Sequence, residues 1–86
     1  MVRLAPSSEV ADRRLDAELL VDVLWAVAGP RCRVEHISAS AGRGQMDVGV
    51  YVQADSQIAA DRTVRELLAH ATLTVPLLRG WDIRPP

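Results

Sequence analysis

The stretch from Arg31 to Gln53, RCRVEHISASAGRGQMDVGVYVQ, constrains the fold more than any other part of the chain. Its second half alternates without a break. Met46, Val48, Val50 and Val52 fall to one side, and Asp47, Gly49, Tyr51 and Gln53 to the other, which is the period-two pattern of a strand with one buried face. The first half is a strand with a fault: Cys32, Val34 and His36 share one face while Ile37 and Ala39 share the other. A β-bulge near His36 brings the two halves of that strand into agreement. Between the strands, Ala41-Gly42-Arg43-Gly44 reads as a turn whose glycines supply positive φ. A hairpin with an apolar side on each strand needs a second layer to cover it.

That layer is found on either side. After it, Asp55 or Ser56 is placed to cap a helix over about Gln57 to Leu73, with Ala60, Val64, Leu67, Leu68 and Ala71 as its apolar stripe. Asp61 with Arg65, and Arg62 with Glu66, stand at the i,i+4 spacing of ion pairs on the outer face. Before the hairpin, Ser7 or Ser8 can cap a helix from about Glu9 to Ala28, with Glu9 and Asp12 near its positive end. Gly29-Pro30 stops it. Val2 to Ala5 reads as a short first strand, and Gly80 to Arg84 as a last one with Trp81 and Ile83 on one face.

The order is therefore β-α-β-β-α-β. This is the ferredoxin-like pattern, an α+β two-layer sandwich with a four-stranded antiparallel sheet and both helices on one face. The resemblance is one of topology and covers the whole chain of 86 residues as one small domain. If residues 1–6 are a disordered tail instead, the order shortens to α-β-β-α-β. Met1 and the final Arg84-Pro85-Pro86 read as the bounds of a free-standing chain.

Charge and composition narrow the function classes. A net charge of −1 does not suit a protein that binds nucleic acid by neutralising phosphates. All ten basic residues are Arg, and Lys, Asn and Phe are absent, which is the mark of a GC-rich genome more than of a site. One cysteine, Cys32, forbids an internal disulfide and suits a reducing cytoplasm. Leu19 to Gly29 is too short for a membrane span and is interrupted by Asp22, and acidic residues precede it where a signal peptide needs positive charge.

A fold of this kind hosts many chemistries, and each needs its own residues. Base stacking needs aromatics on the central strands, and only Tyr51 is there. A metal-carrying domain would show a Cys-x-x-Cys pair, and a ligand-sensing ACT-like domain a glycine after the first strand; neither is present. Cys32 and His36 lie four strand residues apart, about 13 Å, too far for a thiolate–imidazole pair. His70 near a helix C-terminus needs no role beyond the helix dipole. Gly42-Arg43-Gly44 lacks the spacing and the lysine of a phosphate loop. No catalytic residue, cofactor site or metal site is expected.

The first helix is apolar nearly all round. Leu15, Leu19, Val23 and Ala26 form one stripe, expected to face the sheet, and Ala17, Val21, Leu24 and Ala28 a second. Either Leu20, Leu24 and Val27 widen the buried arc, or Val21, Leu24, Trp25 and Ala28 make an exposed patch for a protein partner or a second copy. The second reading is preferred, and it describes a non-enzymatic accessory or regulatory protein. The competing surface is the open face of the sheet, carrying Arg3, Asp47, Gly49 and Tyr51, with Arg33 and Glu35 near it. Such a face would serve a dimeric small-molecule binder or enzyme.

Overall fold

Everything in the sheet is built on β1 (Val2–Pro6), a strand of five residues that is paired along both edges. On one side Val2, Arg3 and Leu4 face Val48, Asp47 and Met46 of β3 (Gln45–Val52), antiparallel. On the other, Arg3, Leu4, Ala5 and Pro6 face Arg84, Ile83, Asp82 and Trp81 of β4 (Trp81–Arg84), again antiparallel. The first residues are thus the centre of the sheet, and the shortened α-β-β-α-β order is excluded. The structure is a computed structural model that describes residues 2–6, 15–30, 32–42 and 44–84.

With β2 (Val34–Gly42) outside β3, the strand order is β2-β3-β1-β4. Together with helices α1 (Ala17–Ala28) and α2 (Gln57–Thr74) this is the ferredoxin-like β-α-β-β-α-β arrangement. The expected bulge is present: Val34 pairs with Val52 and His36 with Tyr51, so Glu35 is the extra residue. It lets Val34, Ile37 and Ala39 share the covered face despite the broken alternation. The turn is tighter than expected. Gly42 pairs with Gln45, and of the two glycines only Gly44 has positive φ, 64°. Arg31 and Arg43 lie outside the described residues.

α2 forms as its pattern requires. Ser56 accepts the Ala59 N–H at 3.1 Å as N-cap, and Val64, Leu67, Leu68 and Ala71 are buried. The expected outer ion pairs do not close among the described residues. Asp61 accepts instead from Gln57 Nε2 at 2.9 Å, because the shorter neutral side chain reaches it one turn earlier. Pro76 ends the helix region by opening a single 3-10 turn, Pro76–Leu78, which seats Leu78 in the core.

α1 differs from expectation in length and in roll. It begins at Ala17, because Asp16 stands in extended conformation (φ −84°, ψ 125°) and caps it by accepting the Glu18 N–H at 2.9 Å. The proposed caps Ser7 and Ser8, and the acidic turn Glu9 to Asp12, lie outside the described residues. Gly29, at φ 61°, ends the helix and donates its N–H to the Trp25 carbonyl. The buried face is Leu20, Leu24 and Ala28, flanked by Ala17, Val21 and Val27. Leu19 and Ala26, expected to face the sheet, are exposed. The cause is the position of the charges. On a wheel of about 100° per residue, the point opposite Asp22 falls between Leu20 and Leu24, so keeping Asp22 and Glu18 in water turns that arc inward.

The core joins this arc to Val2, Leu4, Ile37, Met46, Val48, Val50, Val64, Leu67, Leu68, Ala71, Leu78 and Trp81. Among the described residues no helix is long and apolar enough to cross a membrane. The roll of α1 makes a direct prediction. Leu24→Ala should cost about 2–5 kcal/mol in urea unfolding, as for a fully buried leucine, whereas Leu19→Ala should stay within about 0.5 kcal/mol. Equal losses would mean that the helix sits the other way round.

Candidate functional site

The roll of α1 rearranges the expected interface. Leu24 and Ala28 belong to the core, at 0% and 7% exposure. The reason is the one given above: they lie on the arc opposite Asp22. Val21 is half-buried at the rim of the core, and Trp25, one turn on, is 43% exposed. Leu19 is exposed as well, at 47%, but it stands on the far side of Asp22. The apolar surface of α1 is thus two strips, Val21–Trp25 and Leu19–Val23–Ala26, with Glu18 and Asp22 between them. Of the four residues expected in the first-helix patch, Val21 and Trp25 reach the surface and Leu24 and Ala28 do not.

The four residues proposed for the open sheet face do share it. Arg3 and Asp47 are direct cross-strand partners, and Arg3 Nε donates to Asp47 Oδ1 at 3.0 Å. Their side chains are 38% and 30% exposed, so the pair is partly screened by water. Tyr51, 62% exposed, lies opposite His36 with ring centroids 6.1 Å apart, tilted by 36°. Gly49 faces Ser38, and a Cβ at that position would stand 2.8 Å from the Ser38 Oγ. Glycine here lets the hairpin close with a serine hydroxyl over it. Arg84, in register with Arg3, and Asp82, beside Ala5, complete the face on β4. Arg33 precedes β2, and Glu35 is the bulge residue.

This face has charges of both signs but little that could move a proton in concert. Asp47 is held by Arg3, and His36 and Tyr51 stand four residue pairs away along the hairpin. Cys32 lies elsewhere, half-buried in a groove of about 430 Å³ with Arg33, Asp55, Thr63 and Glu66. His36 is on the opposite side of the sheet and His70 is exposed on α2, so neither imidazole meets the thiol. Among the described residues no three His, Cys, Asp or Glu side chains gather in a way that could hold a metal ion.

One concavity was not anticipated. Beneath the first turns of α2, Val2, Val50 and Val52 form the floor of a cleft of about 420 Å³, with Ala60 and Val64 above and Asp61 and Arg65 at the rim. Val2 and Val50 are buried and Val52 is partly so, and the small Ala60 lies over them. Its polar rim consists of side chains exposed on α2, and it has no buried polar group to orient a ligand.

The Arg3–Asp47 pair is the one ionic contact that ties two strands of the sheet together among the described residues. A double-mutant cycle with Arg3→Met and Asp47→Asn should return a coupling of about 0.2–1 kcal/mol in low salt, falling toward zero in about 1 M NaCl. A coupling insensitive to salt would mean that the pair is more deeply buried than its exposure indicates. No family model matches this chain, and neither a curated protein nor a solved structure does, so its surfaces have to speak for its function.

Proposed function

We propose that the chain is a non-enzymatic interaction domain, an accessory or regulatory protein that engages a protein partner through the flank of α1 formed by Val21 and Trp25. The observation that carries this reading is the unequal use of the two tryptophans. Trp81 is 4% exposed and fills the core, whereas Trp25 leaves 43% of its surface in water. In a chain without Phe, a large aromatic is the most effective filler of a small core. A tryptophan held at the surface beside a half-buried valine is instead the kind of anchor that dominates protein interfaces. The mixed charges of the open face and the net charge of −1 support a protein partner over nucleic acid. A single half-buried cysteine suits a reducing compartment such as the cytoplasm.

A second reading has its own observation. Tyr51 is 62% exposed beside His36 on an uncovered sheet face, where a small molecule could be held between two copies of the domain. The scarcity of convergent titratable groups weighs against catalysis there.

The two readings part on substitution. Trp25→Ser should release the protein from whatever assembly it forms at its native concentration, while leaving circular dichroism and unfolding midpoint nearly unchanged. Tyr51→Ala should leave that assembly intact. If Tyr51→Ala disrupts it and Trp25→Ser does not, the open sheet face is the functional surface. If Trp25→Ser unfolds the domain, Trp25 is a structural residue and the interface reading is wrong.

A further inference from the structure

The sheet has two edges, and they are not alike. β4 is four residues long, exposes the charges of Asp82 and Arg84, and is followed in sequence by two prolines, which have no N–H to offer. Short length, charge and proline are the usual protections of an edge. β2 has none of these over most of its length. It runs nine residues, Val34–Gly42, and its last six, Ile-Ser-Ala-Ser-Ala-Gly, carry no charge and no proline. Its register is interrupted at Glu35, so His36–Gly42 is an unbroken segment at the sheet edge, with alternate backbone N–H and C=O groups facing outward.

Resting on the interface reading above, we infer that the partner is a second copy of this chain, joined β2 edge to β2 edge in antiparallel register about a two-fold axis at Ala39. The midpoint follows from the bulge, since an axis at Ala39 pairs the whole unbroken segment with itself. Ser38 then faces the partner copy's Ser40 on the open side, and Ile37 faces its Ala41 on the covered side, all small enough to sit opposite one another. The two Glu35 side chains end up about 27 Å apart along the strands, at roughly 3.4 Å per residue, well beyond a screening length of about 8 Å. Pairing β2 with β4 of another copy would instead set this edge against Asp82 and Arg84, and would leave an open chain of subunits.

The same axis brings in the flank of α1. α1 packs on β2, and the right-handed crossover from β1 to β2 places it on the β2 side of the helix layer. Its right-handed winding then turns Val21 and Trp25 away from α2, over the outer edge of β2, and Leu19 and Val23 toward α2. Two copies joined at β2 therefore oppose their Val21–Trp25 strips. A specific interface takes about a tenth of a small protein's surface, roughly 600 Å² of the 5886 Å² here. A helix flank alone is too small for that; the flank and the paired edge together approach it.

The test uses the full chain with Cys32→Ser, so that the native thiol cannot react, and adds Ala39→Cys. Directly opposed residues of an antiparallel pair have Cα atoms about 4.5–5.5 Å apart, within the reach of a disulfide. Mild oxidation should give a quantitative cross-linked dimer, and light scattering of the wild type should give twice the chain mass. Ser38→Lys with Ser40→Lys, which sets lysines against lysines across the axis, should raise the dimer dissociation constant at least a hundredfold with the fold retained by NMR. Trp25→Ser should raise it at least tenfold. If the dimer survives the two lysines and Ala39→Cys fails to cross-link, while Trp25→Ser still dissociates it, the edge pairing is wrong and the α1 reading stands. If the lysines dissociate it and Trp25→Ser has no effect, the edge pairing stands and the α1 reading is wrong. A wild type that is monomeric at all concentrations overturns the second copy as partner.

Discussion

β1 holds the sheet together. Its five residues present Val2 and Leu4 to the core and Arg3 to the open side, and they bond to β3 along one edge and β4 along the other. Without them the β2–β3 hairpin and β4 would be separate pieces, each with an unpaired edge and a half-covered apolar face. The pairing is non-local on both sides: Leu4 meets Met46 across the hairpin and Ile83 near the far end of the chain. Local structure forms first at low entropic cost, but the sheet is not complete until the ends of the sequence meet. Both helices depend on this closure, because the surface they cover spans all four strands.

Most of the architecture was legible because it rests on periodicity. The alternation of Met46, Val48, Val50 and Val52 predicts the central strand, and the stripe of Val64, Leu67, Leu68 and Ala71 predicts α2 with its serine cap. Even the bulge could be read, since the apolar residues of β2 change phase between Val34 and Ile37. Residues that change phase without a glycine or proline nearby leave a strand few other ways to keep one face buried.

α1 resisted because its apolar residues do not choose a side. Two stripes of similar hydrophobicity compete, and counting apolar side chains cannot rank them. The information lies in the two charges. Glu18 and Asp22 must reach water, and the arc opposite them is Leu20, Leu24 and Ala28. Reading the helix from its most costly residues to bury, rather than from its most favourable, gives the observed roll. The helix start was misplaced for a related reason. Asp16 itself stands in extended conformation, and its carboxylate accepts the Glu18 N–H, so the helix starts after it.

The two halves of the molecule are filled differently, and this connects the core to the surface. Around α2 the volume is taken by Trp81, Leu67, Leu68 and Leu78, all buried. Around α1 and β2 the buried residues are Leu15, Leu20, Leu24, Ala28 and Ile37, with the small Ala17, Val21, Val27, Val34 and Ala39 partly buried against them. Trp25 stands on the wheel between Val21 and Glu18, so the roll that keeps Glu18 and Asp22 in water also leaves its indole 43% exposed. A large apolar group that cannot be buried internally raises solubility and aggregation costs unless something else covers it. An exposed Trp25 on the flank of α1 and an edge strand whose last six residues carry no charge are the two features on which the interface proposal rests.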